Sequence, residues 1–184
     1  VQQADPGARR APCDLVERIR DYMLKSVKEA KRHTSWLTPN DFYEAGMLSY
    51  VEAILRGPLA PRVLSALRPL AERVARQGVT SSLAQTVLKL TSPGVPDLYQ
   101  GSEDWVFDLV DPDNRRPVDY AERSKLLRTV NRRKPGRRLT AELLATKEDG
   151  RIKLYLTSRT LAYRAAYPEL FARGDYLPLA ADGT

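Results

Sequence analysis

Residues 90–119, which read LTSPGVPDLYQGSEDWVFDLVDPDNRRPVD, constrain the fold of this chain more than any other stretch. Pro93 and Gly94 break the helical pattern before them, since proline cannot continue a helix and glycine tolerates a turn. Residues 95–100 form a short run between two glycines, which favours a buried strand, although Pro96 removes one ladder donor. The polar residues follow this run. This order is typical of α/β barrels and doubly wound sheets, whose sites lie at the carboxyl ends of strands.

Most of the remaining chain has the pattern of helices, with capping residues followed by apolar residues at helical spacing. Predicted helices begin near Asp14, Thr38, Pro61, Ser82 and Asp119. The second contains the apolar stripe Tyr43, Met47, Tyr50, Val51 and Ile54, which is typical of a buried core face, and it ends at Gly57 and Pro58. The third is expected to end at Gln77 and Gly78.

Residues 151–157 fit two kinds of secondary structure. Ile152, Leu154 and Leu156 alternate as in a strand, whereas Ile152, Leu156 and Tyr163 lie near one helical face. Periodicity alone leaves both structures open.

The net charge of +7 is compatible with two classes of surface. One is a nucleic-acid-binding surface, with its tightest basic group in residues 131–138. The other is a set of solvated helix faces on which arginines are spread among acids, and we favour this second interpretation because no one-signed stripe is visible.

Cysteine content and hydropathy indicate a cytoplasmic protein. The single cysteine, Cys13, excludes an internal disulfide and fits a reducing compartment. No apolar run approaches the ~20 residues that a membrane span needs.

The sequence provides no pattern for a metal or an organic cofactor. His33, the only histidine, has no His or Cys nearby that could share a metal with it, which favours a histidine at a helix end. The aspartates near Asp111 and Asp113 lack the glycine and the terminal glutamate of an EF-hand loop. We therefore expect neither a metal nor a cofactor.

Three motifs carry a resemblance to a known family. PGVPDLYQGSE resembles the eighth-strand segment of the α-amylase superfamily of glycoside hydrolases (family 13). LVDPDNRRPVD, together with HTSWLTPNDFYE upstream, is similar to the maltooligosyl trehalose synthase family within it. The resemblance covers roughly residues 15–179.

The resemblance implies an α/β parentage: a helix-rich fragment of an α-amylase-type (β/α)8 barrel, mainly α in isolation with few short strands. It implies a helical subdomain at 1–57, the last αβ units of the barrel at 58–174, and the start of a carboxyl-terminal β domain at 175–184. It also favours a helix over residues 151–157 and a strand at residues 176–179.

The family's reaction moves the reducing-end glucose of a maltooligosaccharide from an α-1,4 to an α,α-1,1 linkage, by intramolecular transglucosylation, in trehalose biosynthesis. Glycoside transfer with retention needs two carboxyl groups about 5–5.5 Å apart, and the superfamily adds an Asp that follows a His. This chain has no His-Asp pair, because His33 precedes Thr34. We therefore expect no catalytic residue in this chain, and an inactive fragment.

What the chain could contribute is one wall of the sugar cleft. Planar polar side chains and aromatic faces bind sugar hydroxyls and rings. The expected substrate-binding residues are Tyr99, Gln100, Glu103, Asp113, Asn114, Arg115, Arg116 and Trp36. There are three alternatives. Trp36 packs as an aromatic anchor, residues 111–114 simply form a turn, and the arginines pair with neighbouring aspartates.

Other functions and partners stay open at this point. An α-1,4-glucan hydrolase or transferase of the same superfamily is close in sequence terms, and a basic helical nucleic-acid-binding module is the competing class. The expected partners are a maltooligosaccharide and the missing amino-terminal barrel segments, and a fragment with an exposed strand could associate with itself.

Overall fold

The computed structural model describes residues 13–109, 111 and 113–180, and it is helical as predicted. The helices are α1 (Cys13–Ala30), α2 (Asp41–Leu55), α3 (Ala60–Thr91), α4 (Tyr120–Asn131), α5 (Arg137–Ala145), α6 (Arg151–Ala166) and α7 (Pro168–Arg173). Two 3₁₀ turns, η1 (Asp113–Arg115) and η2 (Lys147–Asp149), lie between them. None of these helices is long and apolar enough to cross a membrane. The expectation of a helix-rich chain is confirmed.

The two predicted strands are absent from the described residues. Residues 95–99 and 174–180 have no regular secondary structure. The prediction of a buried strand is wrong here, since Val95 is 98% exposed. A strand is defined by the ladder it forms with a neighbour, and the described residues offer neither segment such a neighbour.

Residues 151–157 belong to α6, as the resemblance implied. Ile152, Leu154 and Thr157 are buried, and Ile152 joins a cluster with residues of α4 and α5. Packing against two other helices therefore decides a segment for which periodicity was ambiguous.

The prediction of separate helices before and after Gly78 is wrong, because α3 runs unbroken through that residue. A glycine inside a helix costs only about 1 kcal/mol relative to alanine, so it does not by itself end one. Pro69 also lies inside α3, where it removes one backbone hydrogen bond.

The described residues divide into two compact units. Of the described residues, unit 1 comprises those up to Arg76 and those between Phe107 and Pro117, and unit 2 comprises Gln77–Val106 and those from Val118 onward. The domain ranges predicted from sequence, 1–57, 58–174 and 175–184, stay a prediction.

In unit 1, α1 packs against α2. Val16, Val51 and Leu55 form the buried centre of this interface. Asn40, rather than the predicted Thr38, caps α2, because its side chain accepts a hydrogen bond from the backbone N–H of Tyr43. The cap fixes the start of α2 and places its apolar residues against α1.

In unit 2, the core lies between α4, α5 and α6. Val130, Leu139, Leu143 and Ile152 are buried there. Asp119 caps α4 as predicted, accepting a hydrogen bond from the backbone N–H of Glu122 at 2.9 Å. This cap follows directly on the loops that carry the candidate site residues.

Candidate functional site

In unit 1, Asp113 is the centre of the turn that contains four of the candidate residues. Its carboxylate accepts hydrogen bonds from Arg18 Nε and Nη2 at 2.9 and 2.8 Å, and from the backbone N–H of Leu109 at 2.7 Å. Arg116 Nε lies 3.1 Å from the same carboxylate. Arg18 also donates to the carbonyl oxygen of Phe107 at 2.6 Å, so one arginine of α1 fixes both ends of the loop.

The ion pair between Arg18 and Asp113 shifts the pKa of both groups. The side-chain hydrogen bond from Arg18 lowers the pKa of Asp113, and the same bond raises the pKa of Arg18. Their side chains are only 10% and 19% exposed. Asp113 is therefore a half-buried carboxylate whose pKa is lowered by its guanidinium partner, which suits an anchor better than a proton donor.

The two adjacent arginines of the turn also pair with aspartates of the same loop. Arg115 pairs with Asp111, and Arg116 pairs with Asp108. Lys25 of α1 donates to the Asp111 carbonyl oxygen at 2.7 Å. The pairing of these arginines with neighbouring aspartates, one of the alternatives from sequence, is therefore present.

Trp36 lies in the loop between α1 and α2. Its indole N–H donates to Glu29 at 3.0 Å, and the Lys28 ammonium lies 5.1 Å from the ring centroid. The residue is nevertheless 57% exposed, so an indole fixed by two contacts keeps much of its surface in solvent.

In unit 2, the candidate residues lie at the turn that follows residues 95–99. Tyr99 is 51% exposed and Gln100 is exposed. Gly101 next to them has a φ of +85°, and a Cβ there would lie 3.1 Å from Val118 Cγ2. Glycine therefore permits a turn that presents the two preceding side chains at the surface.

Glu103 is tied to α4. Arg123 Nε lies 2.7 Å from the Glu103 carboxylate, and Arg123 Nη2 donates to the carbonyl oxygen of Gly101 at 3.2 Å. The Arg123 side chain is only 19% exposed. One arginine of α4 thus holds both ends of this short turn.

The loop continues into an anchor formed by Asp104 and Trp105. The Trp105 indole N–H donates to the Lys147 carbonyl oxygen at 2.7 Å, and Lys153 Nζ donates to the Asp104 carbonyl oxygen at 3.1 Å. Lys153 also lies 5.4 Å from the Trp105 ring centroid, and burial lowers its pKa. Asp104 occupies the space beside Gly150, where a Cβ would lie 1.7 Å from its Oδ1 atom.

The candidate residues thus form two groups, each described within its own unit. Unit 1 holds Trp36 and residues 113–116, and unit 2 holds Tyr99, Gln100 and Glu103. Sequence reasoning missed Arg18, Arg123 and Lys153, which position these loops. Arginine and lysine on helices gave no motif signal, since their partners lie up to 95 residues away.

The candidate site residues that the structure describes offer mainly polar groups at the protein surface. Among them, no group of three His, Cys, Asp or Glu side chains lies close enough to hold a metal ion. Exposed amide, phenol, indole and guanidinium groups are suited to bind neutral hydroxyl-rich ligands by hydrogen bonds and ring contacts.

The chain was compared with known proteins by sequence and by structure. No protein-family model matches it. It is 37% identical over 178 residues to a curated protein of Mycobacterium tuberculosis (strain H37Rv) that carries the name maltooligosyl trehalose synthase. The match covers 97% of this chain and 20% of the relative.

Solved structures give a similar result. A crystal structure of maltooligosyl trehalose synthase matches 93% of this chain with 36% identity and a TM-score of 0.83, and the match covers 22% of that protein. A Sulfolobus tokodaii protein described as a hypothetical maltooligosyl trehalose synthase matches 93% of this chain with 32% identity and a TM-score of 0.76, and the match covers 22% of it. The resemblance noted in the motifs is thereby confirmed. Over nearly its whole length this chain is similar, in sequence and in fold, to a segment of about one fifth of the maltooligosyl trehalose synthases.

Proposed function

We propose that this chain forms part of an enzyme that converts the reducing-end α-1,4 linkage of maltooligosaccharides into an α,α-1,1 linkage by intramolecular transglucosylation. The observation that carries this proposal is the 37% identity over 97% of the chain to a protein of that name. The enzyme would be an isomerase of glycoside hydrolase family 13 with an α-amylase-type barrel, acting in trehalose biosynthesis in the cytoplasm.

The reaction needs a nucleophilic carboxylate and a general acid/base on either side of the scissile bond. In this proposal those groups lie outside the 184 residues, because the chain has no His-Asp pair and lacks the strand motifs that carry the nucleophile and the acid in the superfamily. Its own carboxylates at the site are held by arginines: Asp113 by Arg18 and Glu103 by Arg123. Such pairing fixes the carboxylates in place, which suits positioning of a loop better than proton transfer.

The part of the function assigned to this chain is substrate contact. Tyr99 and Gln100 would contact sugar from the turn of unit 2, which Glu103 and Arg123 stabilise. Trp36 would offer a ring face from unit 1. In the turn at residues 113–116, Asp113 and Arg116 would fix the backbone while Asn114 and Arg115 contact hydroxyl groups. The Arg115 side chain is 71% exposed, which supports this division.

Two assays test the proposal. The purified chain, incubated with maltohexaose, is expected to give no turnover, and a trehalose-ended product from the chain alone would contradict it. In a second assay the chain replaces the corresponding fifth of the M. tuberculosis relative. This chimera is expected to convert maltohexaose, and Gln100→Ala within it is expected to lower kcat/KM, whereas Ala at the exposed Lys125 leaves it unchanged.

The same chimera separates isomerisation from hydrolysis. Formation of an α,α-1,1 linkage consumes the reducing end, because both anomeric carbons enter the bond, whereas hydrolysis creates a new reducing end. We expect reducing ends to fall with time. A rise would favour the α-1,4-glucan hydrolase alternative instead.

A further inference from the structure

Arg164, near the end of α6 in unit 2, binds three backbone carbonyl groups at the point where α3 ends. Its Nη1 atom donates to the carbonyl oxygens of Leu90 and Ser92, each at 2.9 Å, and its Nη2 atom donates to that of Gly94. The last carbonyls of a helix have no partner within the helix. Leu90 is 0% exposed, so its carbonyl oxygen needs a partner inside the protein, and Arg164 provides it.

Helix α7 completes this contact. The Cζ atom of Arg164 lies 4.3 Å from the centroid of the Phe171 ring, which is a cation–π distance. The Phe171 carbonyl oxygen accepts a hydrogen bond from the N–H of Gly94 at 3.3 Å. Gly94 is therefore fixed through both of its backbone groups, its carbonyl by α6 and its N–H by α7.

Gly94 begins a segment that carries two of the candidate site residues, and a second arginine holds the other end of that segment. The carbonyl oxygen of Gly101 accepts a hydrogen bond from Arg123 Nη2 at 3.2 Å. Both glycines have a positive φ, +92° and +85°, which glycine adopts without steric cost. Tyr99 and Gln100 thus lie on a segment whose two ends are each held by an arginine from a helix of the unit 2 core.

Between these two ends the segment has little packing of its own. Residues 95–99 form no regular secondary structure. Val95 and Asp97 are exposed, and Pro96 and Leu98 are half-buried. A segment with few buried contacts opens at low cost in free energy, so its direction depends on how its ends are fixed.

We propose that Arg164 is a positioning residue for the turn at Tyr99 and Gln100: it fixes Gly94, and thereby sets the direction in which these two side chains are presented to a substrate. Both Nη atoms of Arg164 are engaged by backbone carbonyls, and its planar face lies on Phe171. It therefore acts through the segment and does not touch the substrate. That Tyr99 and Gln100 contact sugar rests on the proposed function, whereas the fixing of the segment does not.

The first test measures backbone order in the 184-residue chain by ¹⁵N relaxation. Arg164→Met keeps the length of the side chain and removes its donors. The order parameters of Tyr99 and Gln100 are expected to fall below about 0.6 in this variant and to lie above that value in the parent chain. Arg159→Met is the matched control, because Arg159 is an exposed arginine on the same helix. Unchanged order at Tyr99 and Gln100 in Arg164→Met would overturn the inference.

A second variant distinguishes positioning from a general loss of structure. Arg164→Lys keeps a positive charge at the end of α6, but an ammonium lacks the planar fork that serves several carbonyls and stacks on a ring. Helix content by circular dichroism is expected to equal that of the parent chain, while order at Tyr99 and Gln100 is still reduced. Full order in Arg164→Lys contradicts the role assigned to the guanidinium.

The second test is a double-mutant cycle in the chimera with the M. tuberculosis relative. Arg164→Met is expected to lower kcat/KM for maltohexaose about tenfold, and Arg159→Met to leave it unchanged. If Arg164 acts through the segment, combining Arg164→Met with Gln100→Ala costs clearly less than the product of the two single losses. A purely structural role would give independent losses that multiply, and that result contradicts the inference.

The two tests also separate this inference from the proposed function. If Gln100→Ala leaves kcat/KM unchanged while order falls in Arg164→Met, the sugar contact of Gln100 is wrong and the fixing of the segment by Arg164 stands. If Gln100→Ala lowers kcat/KM while Arg164→Met changes neither order nor kcat/KM, the inference is wrong and the proposed function stands.

Discussion

Arg18 and Asp113 form a well-enclosed ion pair of unit 1: the guanidinium meets the carboxylate through Nε at 2.9 Å and Nη2 at 2.8 Å, with 19% and 10% of the side chains exposed. This contact joins α1 to the loop that carries η1. The position of the 113–116 turn therefore depends on a residue of the first helix.

Removing the arginine is expected to destabilise unit 1. Arg18→Met keeps the length of the side chain but leaves Asp113 without its main donor, which costs roughly 1–3 kcal/mol in the free energy of unfolding. Urea denaturation followed by circular dichroism measures the change. Arg173→Met is the matched control, because its pair with Glu169 is 82% and 75% exposed, and exposed pairs contribute about 0–1 kcal/mol. Equal effects of the two variants would contradict the assigned role.

The same pair predicts how stability depends on pH. The hydrogen bond from Arg18 lowers the pKa of Asp113 in the folded chain, so its contribution is present above the unfolded pKa of about 3.9 and is lost as pH falls through the lowered value. We expect Asp113→Asn to be less stable than the parent chain above about pH 5, with a difference that shrinks below about pH 4. The measurement is a series of urea denaturations from pH 7 to pH 2. A difference that is constant over this range speaks against the linkage.

Gly150 is expected to tolerate no side chain. Its φ is +77°, and a Cβ would lie 1.7 Å from Asp104 Oδ1. Gly150→Ala therefore combines a left-handed backbone penalty of about 1–2 kcal/mol with a steric clash that displaces Asp104. Gly94→Ala is the control, since its φ is also positive, at +92°, but no atom lies within 4 Å. Thermal unfolding should show a clearly larger loss of Tm for Gly150→Ala than for the control.

Replacing Pro69 is expected to raise the stability of the chain. The residue lies inside α3 and is exposed, so Pro69→Ala restores a backbone donor without loss of a buried contact. Stabilisation of α3 by roughly 1–3 kcal/mol is expected. Pro61→Ala serves as the comparison, because Pro61 lies in the first turn of α3, where proline is well tolerated. If thermal unfolding shows no difference between these two variants, the helix at Pro69 is not under the expected strain.

Local signals in the sequence predicted the parts of the fold that depend on local contacts. The cap of α4 by Asp119 needs only residues three apart, and it is present. Continuity of α3 through Gly78 was missed, because a single glycine costs little and no turn chemistry accompanies it. The strand at residues 95–100 was wrong for this chain, because a strand requires a neighbour that local sequence does not specify.

In the candidate site, too, local sequence predicts the contacts between near neighbours but not those between distant residues. At residues 111–116 the alternative of arginines paired with aspartates is present, since Arg115 and Arg116 lie within eight residues of their partners, while sugar contact by this motif stays a prediction. The contact of Lys153 with Asp104, by contrast, joins residues 49 apart, and nothing in either local sequence announces it. The loops can be located from the sequence, whereas the helical residues that hold them can be identified only from the three-dimensional structure.

The chain has two tryptophans, and the two units contain one each: Trp36 in unit 1 and Trp105 in unit 2. The Lys28 ammonium lies 5.1 Å from the Trp36 ring centroid, and the Lys153 ammonium lies 5.4 Å from the Trp105 ring centroid. Each unit therefore has its own fluorophore and its own nearby cation, whose separation on unfolding changes the emission. Single-tryptophan chains would show, by spectroscopy alone, whether the two halves melt in one step or in two.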